Sequence, residues 1–253
     1  MRVDWAPLRR ELSRWRADAR ALPLWWRDDD AVSHTPALER LAGLSAKSGL
    51  PVHLAVIPER ADQSLSAFVL NQSQLLPVVH GWAHANHAPK GQKKAEFGQP
   101  RTAARNELSQ AIDRLREMFG PRLVPMFVPP WNRFDPSYAQ LLSPLGYRVL
   151  STYGPRPDTL AAPGLEQVNT HIDPIDWKGT RGLLDPQILV ERIVSTLRQR
   201  RSGEADADEP LGYLTHHLVH DDAVWTFSSQ LISELLDGGA SCADATAIVT
   251  ENP

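Results

Sequence analysis

Short apolar runs recur along the 253-residue chain at 22–26, 52–57 (VHLAVI), 75–79 (LLPVV), 123–128 (LVPMFV), 147–151, 211–215 (LGYLT) and 245–250 (ATAIVT), with a weaker one at 166–171. Their length and branched side chains predict buried strands. Amphipathic stretches stand between them, clearest at 101–118, 135–145 and 185–200. Ahead of them, residues 1–20 put Trp5, Leu8, Leu12 and Trp15 at helical spacing among arginines, which predicts a helix lying on the domain with its tryptophans in the core. Strand–helix alternation of this kind predicts βαβ units and a parallel sheet. Seven or eight such repeats without a dividing linker predict one α/β domain over 1–253, closed into a barrel rather than left as an open sheet.

Composition narrows the partners more than the fold. A net charge of −3 and a pI near 6.3 give no electrostatic reason to expect nucleic acid or an anionic membrane. Cys242 is the single cysteine, so neither an internal disulfide nor a thiolate metal site is available. The N-terminal residues carry no apolar signal-like region, and no run of roughly 20 apolar residues occurs, so a soluble, cytoplasmic protein is expected. The segment RQRRSGEADADEP (198–210) reads as a solvated loop at a helix end.

The polar residues change the picture. Residues 24–34, LWWRDDDAVSH, run an apolar stretch into Asp28, Asp29 and Asp30. Adjacent carboxylates repel, more so at low dielectric, and call for a cation. Of nine histidines, seven follow expected strand ends: His80, His84 and His87, then His171, then His216, His217 and His220. PPWN (129–132) follows another. In a parallel barrel these ends open on one face, which carries the site. His80 and His84 stand four apart, so one helical turn would aim both imidazoles at a common point. Two imidazoles and one carboxylate leave open positions on a divalent metal, as in hydrolytic zinc sites or in facial triads suited to iron, cobalt or nickel. A second aspartate is then free to act as base toward water, and the third sits outside the first coordination layer or contacts Arg27.

These residues together resemble the polysaccharide deacetylases of the NodB-homology type, carbohydrate esterase family four. The family's Thr-Phe-Asp-Asp-Gly is similar to the acid cluster read in the register Asp29-Asp30-Ala31, which implies Asp29 as catalytic base and Asp30 as metal ligand; the register Asp28-Asp29 is the alternative. His-Ser/Thr-x-x-His resembles His80-Gly81-Trp82-Ala83-His84 and implies both histidines as ligands. Arg-Pro-Pro-Tyr/Trp resembles Val128-Pro129-Pro130-Trp131, so Pro129, Pro130 and Trp131 are expected to wall the substrate groove. Asp-x-x-Asp-Trp is similar to Asp173-Pro174-Ile175-Asp176-Trp177, which places Asp176 in the catalytic set and Trp177 on the wall. Leu-x-His resembles Leu214-Thr215-His216 and implies His216 as general acid, with His217 as rival. The motifs cover 24–220 in the family's order. The resemblance implies a distorted (β/α) barrel of seven or eight strands. It also implies a divalent metal, zinc first, and metal-dependent removal of an acetyl group from an N- or O-acetylated carbohydrate.

Departures mark a divergent branch. Val128 stands where the family has an arginine that orients the base, and Arg27 or Arg133 is left to supply that charge. Asp28 and the group His217, His220, Asp221 and Asp222 exceed the pattern. The loop HAPKGQKKAEFGQPR (87–101) reads as solvated, with a lid over an anionic substrate as the alternative. Two rival functions remain: an amide hydrolase acting on a non-carbohydrate small molecule, and a catalytically silent carbohydrate-binding scaffold. No Ser-centred elbow or GxGxxG motif is present, which argues against serine hydrolases and dinucleotide enzymes.

Overall fold

The computed structural model describes residues 2–244. The strand expected at 245–250 lies outside them. Among the described residues nine strands form one sheet: β1 (Pro23–Ala31), β2 (Val52–Val56), β3 (Leu75–His80), β4 (Met126–Val128), β5 (Val149–Leu150), β6 (Leu160–Ala162), β7 (Leu165–Gln167), β8 (Leu211–Thr215) and β9 (Ser241–Cys242). Their order is β6-β7-β5-β4-β3-β2-β1-β8, with β9 on β1. Every pairing is parallel except that of β6 with β7.

The chain after β7 brings the two ends of this sheet together. Val168 donates its amide to Leu150 of β5, whereas His171 and Ile172 donate theirs to Gly212 of β8. Gly212 permits that approach, because a Cβ there would stand 2.4 Å from the Asn169 carbonyl. The result is a mostly parallel sheet curled into a distorted barrel, as the strand–helix alternation predicts. One apolar cluster takes residues from successive strands, Trp25, Ala55, Val78, Met126, Val128 and Val149, and fills the barrel interior. A larger cluster lies between sheet and helices and holds Trp5, Leu8, Leu12, Trp15 and Trp26.

Helices α1 (Ala6–Ala17), α2 (Pro36–Ser48), α3 (Gln63–Val69), α4 (Ala104–Phe119), α5 (Ala139–Leu142), α6 (Pro186–Ser202) and α7 (Asp222–Asp237) surround the sheet. Their starts follow local chemistry: Thr35, Asp62, Asp185 and Asp221 each cap a first turn with a side-chain oxygen. The stretch 135–145 is broken rather than one helix, since two short 3₁₀ turns opening on Pro136 and Ser143 flank the single turn of α5. Among the described residues no helix is long and apolar enough to cross a membrane.

Candidate active site

The three aspartates lie within β1, not beyond it. Strand alternation sends Arg27 and Asp29 to the inner face with Trp25, and Asp28 to the outer face with Trp26. Asp30 would follow Asp28 outward. Its φ of 78° and the shift in register against β2 between Asp28 and Ala31 break the alternation, so Asp30 turns to the mouth beside Asp29.

His80 ends β3. Its Nδ1 donates to the Val128 carbonyl at 3.0 Å, leaving Nε2 3.1 Å from Asp30 Oδ1. His84 Nε2 reaches the same oxygen at 3.2 Å. The link between the two histidines is not the helical turn that their spacing suggested. Gly81 and His84 have φ of 60° and 57°, and the turn is held by the buried carboxylate of Glu96, which accepts the amides of Trp82 (3.1 Å), Ala83 (2.8 Å) and Ala85 (3.4 Å). A Cβ on Gly81 would lie 2.1 Å from Glu96 Oε2 and 2.5 Å from Pro130 Cγ, so glycine is required where the family motif has Ser or Thr.

The electrostatics of this corner fit a cation. Burial opposes charge on Asp30, yet His80, His216 and His84 hold its carboxyl well below the usual carboxylate range. Burial also opposes charge on His80, but Asp29 and Asp30 outweigh it and raise the imidazole. Burial and the neighbouring His80 lower His84. A neutral His80, its Nδ1–H committed to a carbonyl, aims the Nε2 lone pair at a carboxylate; a cation shared by both turns that repulsion into attraction. The ligand atoms of Asp30, His80 and His84 lie within 4.8 Å of one another, the one such cluster among the described residues. The donor set fits a divalent transition metal or zinc.

Asp29 is held from behind. Arg27, fully buried, donates Nε to Asp29 Oδ1 at 2.9 Å and Nη2 to Oδ2 at 3.0 Å. Its remaining donors go to Ser151 Oγ (2.7 Å), the Thr152 carbonyl (3.3 Å) and Asn132 Oδ1 (2.6 Å). A guanidinium, absent at Val128, thus reaches Asp29 from within Asp29's own strand. Arg133 instead donates to the Lys94 carbonyl, away from Asp29.

His216 lies across the mouth, Nε2 4.0 Å from Asp29 Oδ2 and its ring edge-on to Trp177 at 4.7 Å. His217 is buried against Asp28, Nδ1 to Oδ1 at 2.5 Å, and is removed from the mouth. In the fourth motif Asp176 closes a turn by accepting the amides of Gly179 (3.0 Å) and Thr180 (3.1 Å). Asp173 receives Trp177 Nε1 at 2.7 Å; burial raises its pKa despite the pull of His216. Trp131, with φ of 57°, sets its ring 4.2 Å from that of His84, and Trp177 is 40% exposed, so both border the mouth. Pro129 and Pro130 are buried beneath them.

Not every histidine converges. His171 binds Glu209 (3.0 Å) and the Gly212 amide (3.1 Å) in the barrel wall, and His87 is exposed. Sequence reasoning gave no role to Glu96, Ser151, Asn132 or Asp173, although Asn132 and Asp173 stand in the PPWN and Asp-x-x-Asp-Trp segments. Glu96 left a signal of its own, as the one acid of the otherwise basic loop 87–101, a loop whose Ala95, Glu96 and Phe97 are buried rather than solvated.

No protein-family model matches the chain, and no curated protein matches it. Solved structures do. T48 deacetylase, solved with substrate, superposes with a TM-score of 0.57 at 14% identity, over 92% of this chain and 93% of that one. The family 4 carbohydrate esterase from Streptomyces lividans, in complex with acetate, gives 0.52 at 13% identity over 88% and 92%. The fold is that of the family four carbohydrate esterases. A CE4 family pseudoenzyme from Bacillus anthracis also shares it, with a TM-score of 0.60 at 12% identity over 90% of this chain and 65% of that one. The fold is therefore shared by proteins described as deacetylases and by one described as a pseudoenzyme.

Proposed function

We propose that the protein is a metal-dependent carbohydrate deacetylase, a hydrolase of non-peptide carbon–nitrogen bonds that releases acetate from an N-acetylated (or O-acetylated) sugar. The observation that carries this reading is the convergence of Asp30, His80 and His84 on one point, with Asp29 and His216 4.0 Å apart beside it. Asp30, His80 and His84 would hold the cation. When bound, such a cation polarises an acyl carbonyl and makes water more acidic.

The chain's own residues account for the proton traffic. Asp29, fixed by the Arg27 fork, accepts a proton from the attacking water as the new O–C bond forms. His216 gives a proton to the departing amine nitrogen as the C–N bond breaks. Trp131 and Trp177 offer aromatic faces on which a sugar ring stacks. Arg27 also weakens the silent-scaffold reading, because the charge lost at Val128 has a replacement bonded to the base.

The test is acetate release by the full-length protein, supplied with Zn²⁺, from N-acetylglucosamine oligomers, alongside small aliphatic amides. Release from the sugars, lost together with bound metal in Asp30→Ala, supports the reading. Turnover of the small amides alone moves the substrate outside carbohydrates. A metal-binding protein inert on both panels is a binding scaffold.

A further inference from the structure

Asp28 and His220 have no part in the chemistry above, and both are buried or half-buried within the same small region as His216 and His217. The Asp28 carboxylate lies on the outer face of β1 and reaches the end of β8. Its Oδ2 accepts Thr215 Oγ1 at 2.6 Å and the His217 amide at 3.0 Å, while Oδ1 takes His217 Nδ1. His220, one turn further on, accepts the His216 amide on Nε2 at 3.3 Å. The two backbone amides bracketing His216 are therefore each held by a side-chain acceptor instead of by a neighbouring strand.

We propose that Asp28 and His220 form a cradle that positions His216 as proton donor, so that the first acid of the DDD run locks the strand end bearing the acid to the strand bearing the base. This rests on the reading of His216 as general acid. The need for such a device is visible in the backbone. Thr215 is the last strand residue of β8, His216 leaves the ladder with φ −141° and ψ 85°, and a 3₁₀ turn begins at His217. Without a strand partner His216 would swing with the loop, and a displacement of about 1 Å at a reacting group can cost about 100-fold in rate.

Each acceptor suits its task. A buried carboxylate can take several donors at once, and Asp28 takes three. Burial pushes His220 down to about 4, so its imidazole is neutral and keeps a lone pair for the His216 amide. Trp225 sits edge-on to the His220 ring at 4.6 Å and fixes its orientation. His217 Nε2, His216 Nδ1 and His220 Nδ1 are buried without a protein partner, so the cluster is a scaffold of backbone supports and not a continuous side-chain relay.

The experiment uses leaving-group dependence, which a general loss of structure would not mimic. An N-acetylglucosamine oligomer needs protonation of its amine; 4-nitrophenyl acetate has a leaving group that departs without it. His216→Ala sets the reference pattern, a large loss on the amide and little on the aryl ester. Asp28→Asn is expected to lower kcat on the amide about 10- to 100-fold, with KM and bound Zn²⁺ within about 2-fold of the parent and the aryl ester within about 3-fold. His220→Ala is expected to show the same selectivity with a smaller loss, and His220→Gln, whose amide oxygen can still accept, to recover part of it. His220→Ala also carries the test if Asp28→Asn does not fold. Equal losses on both substrates, or no loss on the amide, overturn the cradle while leaving the deacetylase reading intact. If His216→Ala shows no selectivity, the acid assignment and the cradle fall together.

Discussion

Removing Arg27 should damage the protein twice, in stability and in turnover. The guanidinium and the Asp29 carboxylate are both buried, and the fork between them has two bonds at 2.9 and 3.0 Å. Arg27→Met conserves much of the aliphatic stem but leaves Asp29 in the barrel without its counter-charge, and Ser151 and Asn132 without their donor. Breaking a buried ion pair from one side costs about 3–5 kcal/mol, because the remaining charge is neither hydrated nor paired. For a domain of this length that corresponds to roughly 6–20 °C in melting temperature. Thermal unfolding by circular dichroism measures it.

Deleting both partners separates the pair from mere packing. In Arg27→Met/Asp29→Leu no charge is stranded, so the double variant should be more stable than Arg27→Met alone, with a coupling of about 2 kcal/mol or more in the cycle. Arg27→Met should lose at least about 100-fold in kcat where it still folds, because the base is no longer held. Arg27→Lys should recover only part, since an ammonium cannot form the fork. Arg133→Ala should leave both stability and turnover unchanged. A fully active Arg27→Met, or strict additivity in the cycle, would refute the assignment of Arg27 to the base.

Two further outcomes follow from the supports around the metal corner and the acid. Glu96→Ala strands the amides of Trp82, Ala83 and Ala85 and should weaken Zn²⁺ affinity about 10- to 100-fold by loosening His84, with Glu96→Gln milder; a chelator-competition titration reads this. His220 has a native value of about 4, below the 6.5 of an unfolded imidazole, so the unfolded state binds the proton first and stability should fall as pH drops from about 6.5 to about 4. That gap corresponds to about 3 kcal/mol, and denaturant titrations across the window should show a shallower pH dependence in His220→Gln, which does not titrate.

What the sequence showed and what it hid divide along a physical line. Barrel class and the convergence of β1, β3, β4 and β8 were legible because strand ends of a parallel sheet share a face, so position after an apolar run is itself spatial information. Helices α2, α3 and α7 each start on a capping Thr or Asp, a local signal that the sequence carries beside the strand runs. The details of the site were hidden for a different reason, that they depend on residues brought together from distant strands. Asp30 joins the metal corner only through a left-handed backbone break that no residue type announces, and periodicity alone would have sent it outward with Asp28. Glu96 supports a turn 11 to 14 residues away, where Gly81 has given up the family's hydroxyl and made room for it. Arg27 replaces the arginine lost at Val128 from across the barrel. At Gly81 and Val128 the motif residue differs, and another part of the chain, Glu96 or Arg27, stands in its place. Linear motif matching sees only the loss. The replacement is fixed by which buried carboxylate or amide would otherwise be left without a partner, and only the folded chain decides that.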